Sequence, residues 1–216
     1  MTRHGDHQSV LGVILAGGRS RRFDAEDKAF SLLAGKPMIQ HVIDRAAPQV
    51  AGFVISSNAA PAPFSGLGAW AVVADATPRF QGPLAGLAAA IAWLSDRNPG
   101  IGWIATFPVD GPFLPTDMVE VLLEQALELV VPAVASSRGR IHPVFGVWPA
   151  SIATALKHYL ARERRESLIE FVASQRGIFV EFAAREPDPF FNVNTRADQE
   201  RAETLIKEMC RSAKGR

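Results

Sequence analysis

Four apolar runs of the sequence end in glycine or in a small polar residue, and helical patterns separate most of them. The runs end in turn at Gly17, at Ser56 and Asn58, at Asp75 and at Asp110. Continuous apolar runs are typical of parallel strands that are buried on both faces. Their alternation with helices predicts an α/β protein with a mostly parallel central sheet between two helical layers. Ligands of such sheets bind outside the carboxyl ends of the strands, so the residues that end these runs are the first site candidates.

Most of the remaining chain is predicted to form further helices and strands. Helices are expected at 37–48, 82–97, from Thr116 onward, 150–161, 167–174 and 196–209, with Thr195 as a candidate N-cap. Strands are expected at 129–135, 141–148 and 178–182. Pro143 suits an edge strand or a strand entry, because proline lacks the N–H that a ladder needs. No repeat or linker is visible, so we expect a single domain over 10–210, a disordered polar leader over 1–9 and a tail over 211–216.

Bulk composition excludes several classes of protein. The chain has 216 residues, a formal net charge of +1 and one cysteine, Cys210. A nucleic-acid binder usually carries a clustered basic excess, and an internal disulfide needs two cysteines. No apolar window reaches the roughly 18 residues of a membrane span, and the first residues lack the apolar core of a signal peptide. We therefore expect a cytoplasmic protein that binds neither nucleic acid nor membrane.

The strongest local signal is the loop after the first apolar run. Gly17 and Gly18 follow the run, Arg22 lies four residues further on, and the segment closes on Lys28. Glycines let backbone N–H groups approach a ligand, and the cations supply fixed positive charge at the same strand end. This combination suits a polyphosphate, although it matches neither the Walker phosphate loop nor G-x-G-x-x-G. A surface loop with solvated arginines is the alternative.

Polar residues after the other strands give weaker signals. Asp110 could hold Mg²⁺ through its carboxylate or simply occupy an Asp-Gly turn, and Asp75 allows the same two readings. Ser56 and Asn58 could hydrogen-bond a base or sugar, or cap their own loop.

Three polar residues in the second half of the chain are further candidates. His142 could serve as a general base, but no Ser or Cys nucleophile motif accompanies it, and a structural role fits as well. Asn192 and Asn194 flank a turn whose chemistry alone would explain them. The basic run at 162–165 is typical of a solvated helix end, and could also face an anionic substrate.

Taken together, several short motifs resemble those of the molybdenum cofactor guanylyltransferases. The motifs are LAGG-x-x-x-R-x-x-x-x-DK (15–28), GKP (35–37), GPLAGL (82–87), P-x-D-x-P-F (108–113), HPVFGVW (142–148) and FFNVNT (190–195). The resemblance extends over about residues 10–200. It implies a three-layer Rossmann-like nucleotidyltransferase fold and a Mg²⁺-dependent reaction of GTP with molybdopterin. The guanylyl group would move to the terminal phosphate of the pterin, and pyrophosphate would leave.

The resemblance also assigns roles to individual residues. Leu15, Ala16, Gly17 and Gly18 would bind the nucleotide largely through their backbone, and Lys28 would bind phosphate. The nucleoside would be held by Ser56, Asn58 and Asp75, and the metal ion by Asp110. Arg22, Lys28 and Asp110 form the catalytic set, whereas His142, Asn192 and Asn194 are assigned to the pterin substrate.

Two departures from the family pattern leave alternatives open. Asp24 stands where the family usually has glycine, which puts a carboxylate beside the phosphate loop. Ser56 stands where asparagine is common, so Asn58 would carry more of the base contact. The rival functions are a cytidylyltransferase acting on the same pterin and a nucleotide-binding regulator without turnover. We expect a monomer that transiently contacts molybdenum-insertion and acceptor proteins.

Overall fold

The computed structural model describes residues 10–17, 28–58, 61–68, 70–74, 82–97, 100–161 and 167–214. Its strands are β1 (Val10–Leu15), β2 (Leu32–Leu33), β3 (Lys36–Pro37), β4 (Gly52–Ser56), β5 (Ala71–Val73), β6 (Trp103–Pro108), β7 (Ala133–Ser137), β8 (Arg140–Pro149) and β9 (Ile178–Phe182). Its α-helices are α1 (Met38–Ala46), α2 (Pro83–Arg97), α3 (Met118–Ala126), α4 (Ala153–Leu160), α5 (Leu168–Ser174) and α6 (Arg196–Lys214). The last helix therefore extends beyond the end expected near Met209.

Seven of these strands form one sheet in the order β5-β4-β1-β6-β8-β7-β9, and β2 pairs with β3 in a separate hairpin. The pairs β5–β4, β4–β1, β1–β6 and β7–β9 are parallel. Strand β8 runs antiparallel to both of its neighbours, β6 and β7. The sheet is thus mostly parallel, which confirms the prediction from the sequence, and the carboxyl ends of β1, β4 and β6 lie along one edge.

The core lies on both faces of the sheet. On β1, Val10 and Ile14 belong to the apolar cluster that contains the buried sides of α1 and α3. The alternate residues, Leu11 and Val13, belong to a second cluster with α2, α4 and α5. Because successive side chains of a strand point to opposite faces, burial of both faces requires the uninterrupted apolar run seen in the sequence.

The expected strand at 129–135 is wrong in its first half. Residues 127–130 form a turn after α3, β7 begins only at Ala133, and the Leu129 side chain is 66% exposed. Val130 has a positive φ of 51°, a conformation that no strand residue adopts. The apolar residue types of this stretch did not indicate that the chain turns here. The start of α3 also lies later than expected, with Asp117 rather than Thr116 at the N-cap.

An edge position for the strand that contains Pro143 is also wrong, because β8 lies between β6 and β7. The β7–β8 register shifts where Val134 pairs with Gly146 and Ala135 pairs with His142. The β6–β8 ladder reaches only as far as Gly146. Pro143 therefore falls in a bulge, where its missing N–H removes no ladder hydrogen bond.

Candidate active site

Lys28 joins two distant parts of the chain at the carboxyl edge of the sheet. Its Nζ donates to Oδ2 of Asp110 at 2.7 Å and to Oδ1 of Asn194 at 2.8 Å. Asp110 follows β6 by two residues, and Asn194 lies two residues before α6. The Lys28 and Asp110 side chains are 15% and 19% exposed, so the pair is largely shielded but still reachable from solvent. These three sequence candidates form one cluster.

Backbone hydrogen bonds fix Asp110 between β1 and the segment before α6. The N–H of Val109 donates to the carbonyl of Leu15 at 3.2 Å, which continues the β1–β6 pairing past the end of the ladder. The N–H of Val193 donates to the carbonyl of Asp110 at 2.8 Å. The Asp110 carboxylate is therefore held close to the end of β1 and to Asn194.

The start of α6 holds Asn194 in place through a capping box. The N–H of Asp198 donates to Oγ1 of Thr195 at 3.1 Å, and Oδ2 of Asp198 accepts from the Thr195 N–H at 2.9 Å. The same oxygen accepts from the N–H of Asn194 at 3.0 Å. This arrangement satisfies donors that a helix start otherwise leaves open, and it confirms Thr195 as the N-cap.

The charge state of Asp198 reflects this network. Burial alone would raise the pKa of the carboxyl group. The hydrogen bonds from Thr195 and Asn194, with the positive charge of Lys28, outweigh burial and lower the pKa below its ordinary 3.8. Asp198 therefore couples the helix start electrostatically to the Lys28 cluster.

The ends of β1 and β4 lie side by side. Ala16 donates its N–H to the carbonyl of Ser56 at 2.9 Å, and Gly17 is exposed directly after it. Ser56 is 2% exposed, and a Cβ placed on Gly86 would come within 2.5 Å of its hydroxyl oxygen. Ser56 therefore packs against the first turns of α2, whereas Asn58 is exposed at the strand end.

His142 is buried, with 8% of its surface exposed, and it has a serine partner that the sequence did not indicate. Its Nε2 lies 2.9 Å from Oγ of Ser137, and that hydroxyl donates to the Asp188 carboxylate at 3.1 and 3.2 Å. The His142 ring stacks on Phe190 with centroids 5.0 Å apart. Pairing of β7 with β8 across a short turn could have suggested Ser137, but Asp188 lies on a segment that no local pattern connects to His142.

Burial lowers the pKa of the His142 imidazole below its ordinary 6.5. The negative charges of Asp188 and Glu181 oppose this shift, and the positive charge of Arg140 adds to it. His142 is therefore stabilised in its neutral form, as expected for an imidazole within a largely aromatic environment.

Asn192 carries an unsatisfied acceptor. Its Oδ1 is buried and has no hydrogen-bond partner among the described residues. A buried amide oxygen without a partner is unusual in a folded protein, since the lost hydration is not replaced. The position therefore suits a ligand that brings a hydrogen-bond donor.

Several sequence candidates fall outside the described residues. They are Gly18, Arg22, Asp24, Asp75 and the basic run at 162–165. Within the described ranges, no three His, Cys, Asp or Glu side chains form a group that could hold a metal ion by themselves. Of the helices in those ranges, none combines the length and apolarity needed to cross a membrane.

A mostly parallel α/β sheet whose carboxyl edge carries a glycine-ended first strand, a lysine and a carboxylate has the architecture of a Rossmann-like nucleotide-binding protein. A profile of the MobA-like NTP transferase domain matches residues 12–177. The chain belongs to this MobA-like NTP transferase family.

Two relatives and one solved structure illustrate the similarity. The molybdenum cofactor guanylyltransferase of Rhodopseudomonas palustris (strain BisB5) is 37% identical over 204 residues, which cover 93% of this chain and 95% of the relative. The enzyme of the same name from Rhizobium meliloti is 39% identical and covers 90% of each chain. The crystal structure of molybdopterin-guanine dinucleotide biosynthesis protein A from Archaeoglobus fulgidus superposes with a TM-score of 0.72 at 21% identity. It covers 92% of this chain and 99% of that one, and supports the fold.

Proposed function

We propose that the protein transfers GMP from GTP to the terminal phosphate of molybdopterin and releases pyrophosphate. The carrying observation is the cluster of Lys28, Asp110 and Asn194 at the carboxyl ends of the central strands. Eight relatives at 33–39% identity are each named molybdenum cofactor guanylyltransferase, which favours GTP over CTP as the substrate.

The chemistry requires charge compensation more than proton transfer. A phosphate oxygen of the pterin attacks the α-phosphorus of GTP, a new P–O bond forms, and the bond to the β-phosphate oxygen breaks. The attacking phosphate monoester is already anionic near neutral pH, so no strong general base is needed. Lys28 offers a positive charge beside the carboxyl end of β1, and Arg22 adds a second in the same loop. Both would offset the repulsion between the two anionic substrates.

Enzymes of this family generally use a divalent metal, and we propose Mg²⁺ held by Asp110. Mg²⁺ is usually bound by one or two carboxylates together with substrate phosphates and water, so a single carboxylate fits it. When bound, the ion would supply positive charge to the α-phosphate and the leaving pyrophosphate. The ion pair with Lys28 offsets the charge of Asp110, which explains how a largely shielded carboxylate is tolerated at this position.

For the nucleotide, we propose the residue roles that the family resemblance assigned. Gly17 and Gly18 would leave room for phosphates, with further contacts along the strand ends from Leu15, Ala16, Lys28, Ser56, Asn58, Asp75 and Asp110. The exposed Asn58 is better placed for the base than Ser56, whose hydroxyl packs against Gly86.

The pterin side is proposed to comprise Asn192, Asn194 and His142. The buried Oδ1 of Asn192 is a natural acceptor for the N–H and amino groups that a pterin ring carries. Asn194 accepts a hydrogen bond from Lys28 and so would lie next to the reacting phosphates. His142 is buried among Ser137 and Phe190, so its contribution would be made through those neighbours.

The reaction is tested by incubating the full chain with Mg²⁺, molybdopterin and GTP, CTP or ATP in turn. We expect pyrophosphate release with GTP. Turnover with CTP should be at least about tenfold lower, because the loss of one contact with the base costs roughly this factor. Equal turnover with CTP would instead favour a cytidylyltransferase. Tight GTP binding without pyrophosphate release, unchanged in Asp110→Ala, would instead identify a regulator. A monomeric state, a cytoplasmic location and transient contacts with molybdenum-insertion and acceptor proteins remain part of the proposal.

A further inference from the structure

The segment 188–195 carries both asparagines of the proposed pterin site and forms no helix or strand itself. It lies between the end of β9 and the start of α6. Its backbone position therefore depends on individual contacts rather than on a regular ladder. Two groups of contacts, one at each end of the segment, supply this support.

At its far end the segment meets the catalytic cluster. The N–H of Val193 donates to the carbonyl of Asp110, and Asn194 accepts from Lys28. Asn192, whose Oδ1 is buried, directly precedes Val193 in the sequence. Any shift of the segment would therefore move both asparagines relative to Lys28 and Asp110.

At its near end the segment is held by Asp188. Oδ1 of Asp188 accepts from the N–H of Phe190 at 2.9 Å, and both carboxylate oxygens lie within reach of the Ser137 hydroxyl. Ser137 is fully buried at the end of β7. A hydroxyl group has one proton, which Ser137 gives to the carboxylate, so its oxygen accepts from His142. His142 must then carry its hydrogen on Nε2.

The ring of Phe190 connects the same histidine to the segment by packing. Phe190 is 2% exposed, stacks on His142, and meets Phe145 and Phe182 edge-on with centroids 5.0 and 5.1 Å away. His142 thus supports the segment twice, through Ser137 and Asp188 and through the aromatic ring.

We propose that Ser137, His142 and Asp188 form a positioning network that places Asn192 and Asn194 for the pterin substrate. None of the three acts on the reacting atoms. The network rests on the proposed function for its substrate, and it adds that Ser137 of β7 and His142 of β8 support the segment that carries both asparagines.

The kinetic test uses Ser137→Ala and Asp188→Asn. Asp188→Asn keeps the size of the side chain and an oxygen acceptor for the Phe190 N–H, so it is a conservative replacement. We expect KM for molybdopterin to rise about tenfold, as for a lost hydrogen bond to a charged group, while the Kd of GTP stays within about twofold. An unchanged KM, or an equal loss of GTP affinity, would overturn the network.

Two substitutions of His142 separate its two contacts. His142→Gln keeps an N–H donor near the Nε2 position but loses the ring, whereas His142→Phe keeps a ring and loses the donor. We expect the KM of the glutamine variant to stay closer to that of the wild type, and the phenylalanine variant to resemble Ser137→Ala. The opposite ranking would show that the hydrogen bonds do not position the segment.

Ser136→Ala is the matched control. Ser136 precedes Ser137 on β7, is 6% exposed, and donates to Glu181 at 2.6 Å, on the opposite face of the sheet from Asp188. The substitution Ser136→Ala therefore removes a hydroxyl–carboxylate hydrogen bond of similar burial that does not contact the segment 188–195. We expect its KM for molybdopterin to equal that of the wild type, and a rise as large as in Ser137→Ala would overturn the network.

Hydrogen–deuterium exchange provides a readout that does not require turnover. Amides of 188–195 should exchange faster in Ser137→Ala and Asp188→Asn than in the wild type and Ser136→Ala, with β1 and β6 unchanged. Unchanged exchange in 188–195 would reject the network even in an active enzyme. Absence of pyrophosphate release by the wild type would reject the proposed function and leave this measurement valid.

Discussion

The ammonium nitrogen of Lys28 lies 2.7 Å from Oδ2 of Asp110, although 82 residues separate the two along the chain. The same nitrogen contacts Asn194, a further 84 residues on (166 less 82). A single cation thus joins the proposed metal ligand and the proposed pterin segment. The proposed phosphate ligand and the proposed metal ligand therefore form one ion pair.

Replacing Lys28 with alanine should weaken GTP binding about 10- to 100-fold, because a hydrogen bond to a charged group contributes about 1.5–3 kcal/mol. Isothermal titration calorimetry measures this directly. Lys36→Ala is the matched control, since Lys36 forms an exposed ion pair with Asp44, also at 2.7 Å, away from the cluster. Unchanged GTP affinity in Lys28→Ala would remove Lys28 from the phosphate site.

Replacing Asp110 with asparagine should lower turnover by about 10²–10³-fold, the usual loss when one charge-stabilising contact of a transition state is removed. The size of the side chain is kept, so the Tm should change little. Pyrophosphate release is followed against Mg²⁺ concentration, and half-saturation should move to higher Mg²⁺. Asp44→Asn serves as the control. Wild-type dependence on Mg²⁺ in the Asp110 variant would contradict the metal assignment.

Gly86→Ala should destabilise the fold by about 1–3 kcal/mol through overpacking. The added Cβ would come within 2.5 Å of the Ser56 hydroxyl and 2.9 Å of a Leu15 methyl carbon. Urea denaturation measures the loss, and GTP affinity should fall as well because both contacts lie at strand ends of the nucleotide side. Gly66→Ala, whose Cβ would meet no atom within 4 Å, should leave both quantities unchanged.

Protonation of His142 should reduce stability in acid. Burial lowers its pKa below 6.5 in the folded protein, so near that pH the unfolded chain binds a proton that the native chain does not. Stability therefore falls as the pH decreases through 6.5, and the full effect is reached below the folded pKa. Urea denaturation of the wild type and His142→Gln at pH about 7.5 and about 5.5 isolates this contribution. Equal pH dependence of the two proteins would contradict it.

The sequence by itself determined most of the local structure. The apolar runs predicted β1, β4 and β6 because strands buried on both faces consist largely of apolar residues, and β9 matches its predicted range of 178–182. Thr195 was recognisable as an N-cap because capping depends on a few adjacent residues. The position of Gly17 and Asp110 at one edge of the sheet followed from the parallel strand order that alternation with helices implies.

Only the tertiary structure decided which distant groups meet. The position of β8 between β6 and β7 placed Pro143 in the interior of the sheet. The contact between Lys28 and Asn194 and that between Ser137 and Asp188 span 166 and 51 residues. Periodicity and capping report interactions within a few turns of chain, whereas these contacts form when long loops close around a completed core. The element types were therefore encoded locally, and the architecture of the site was not.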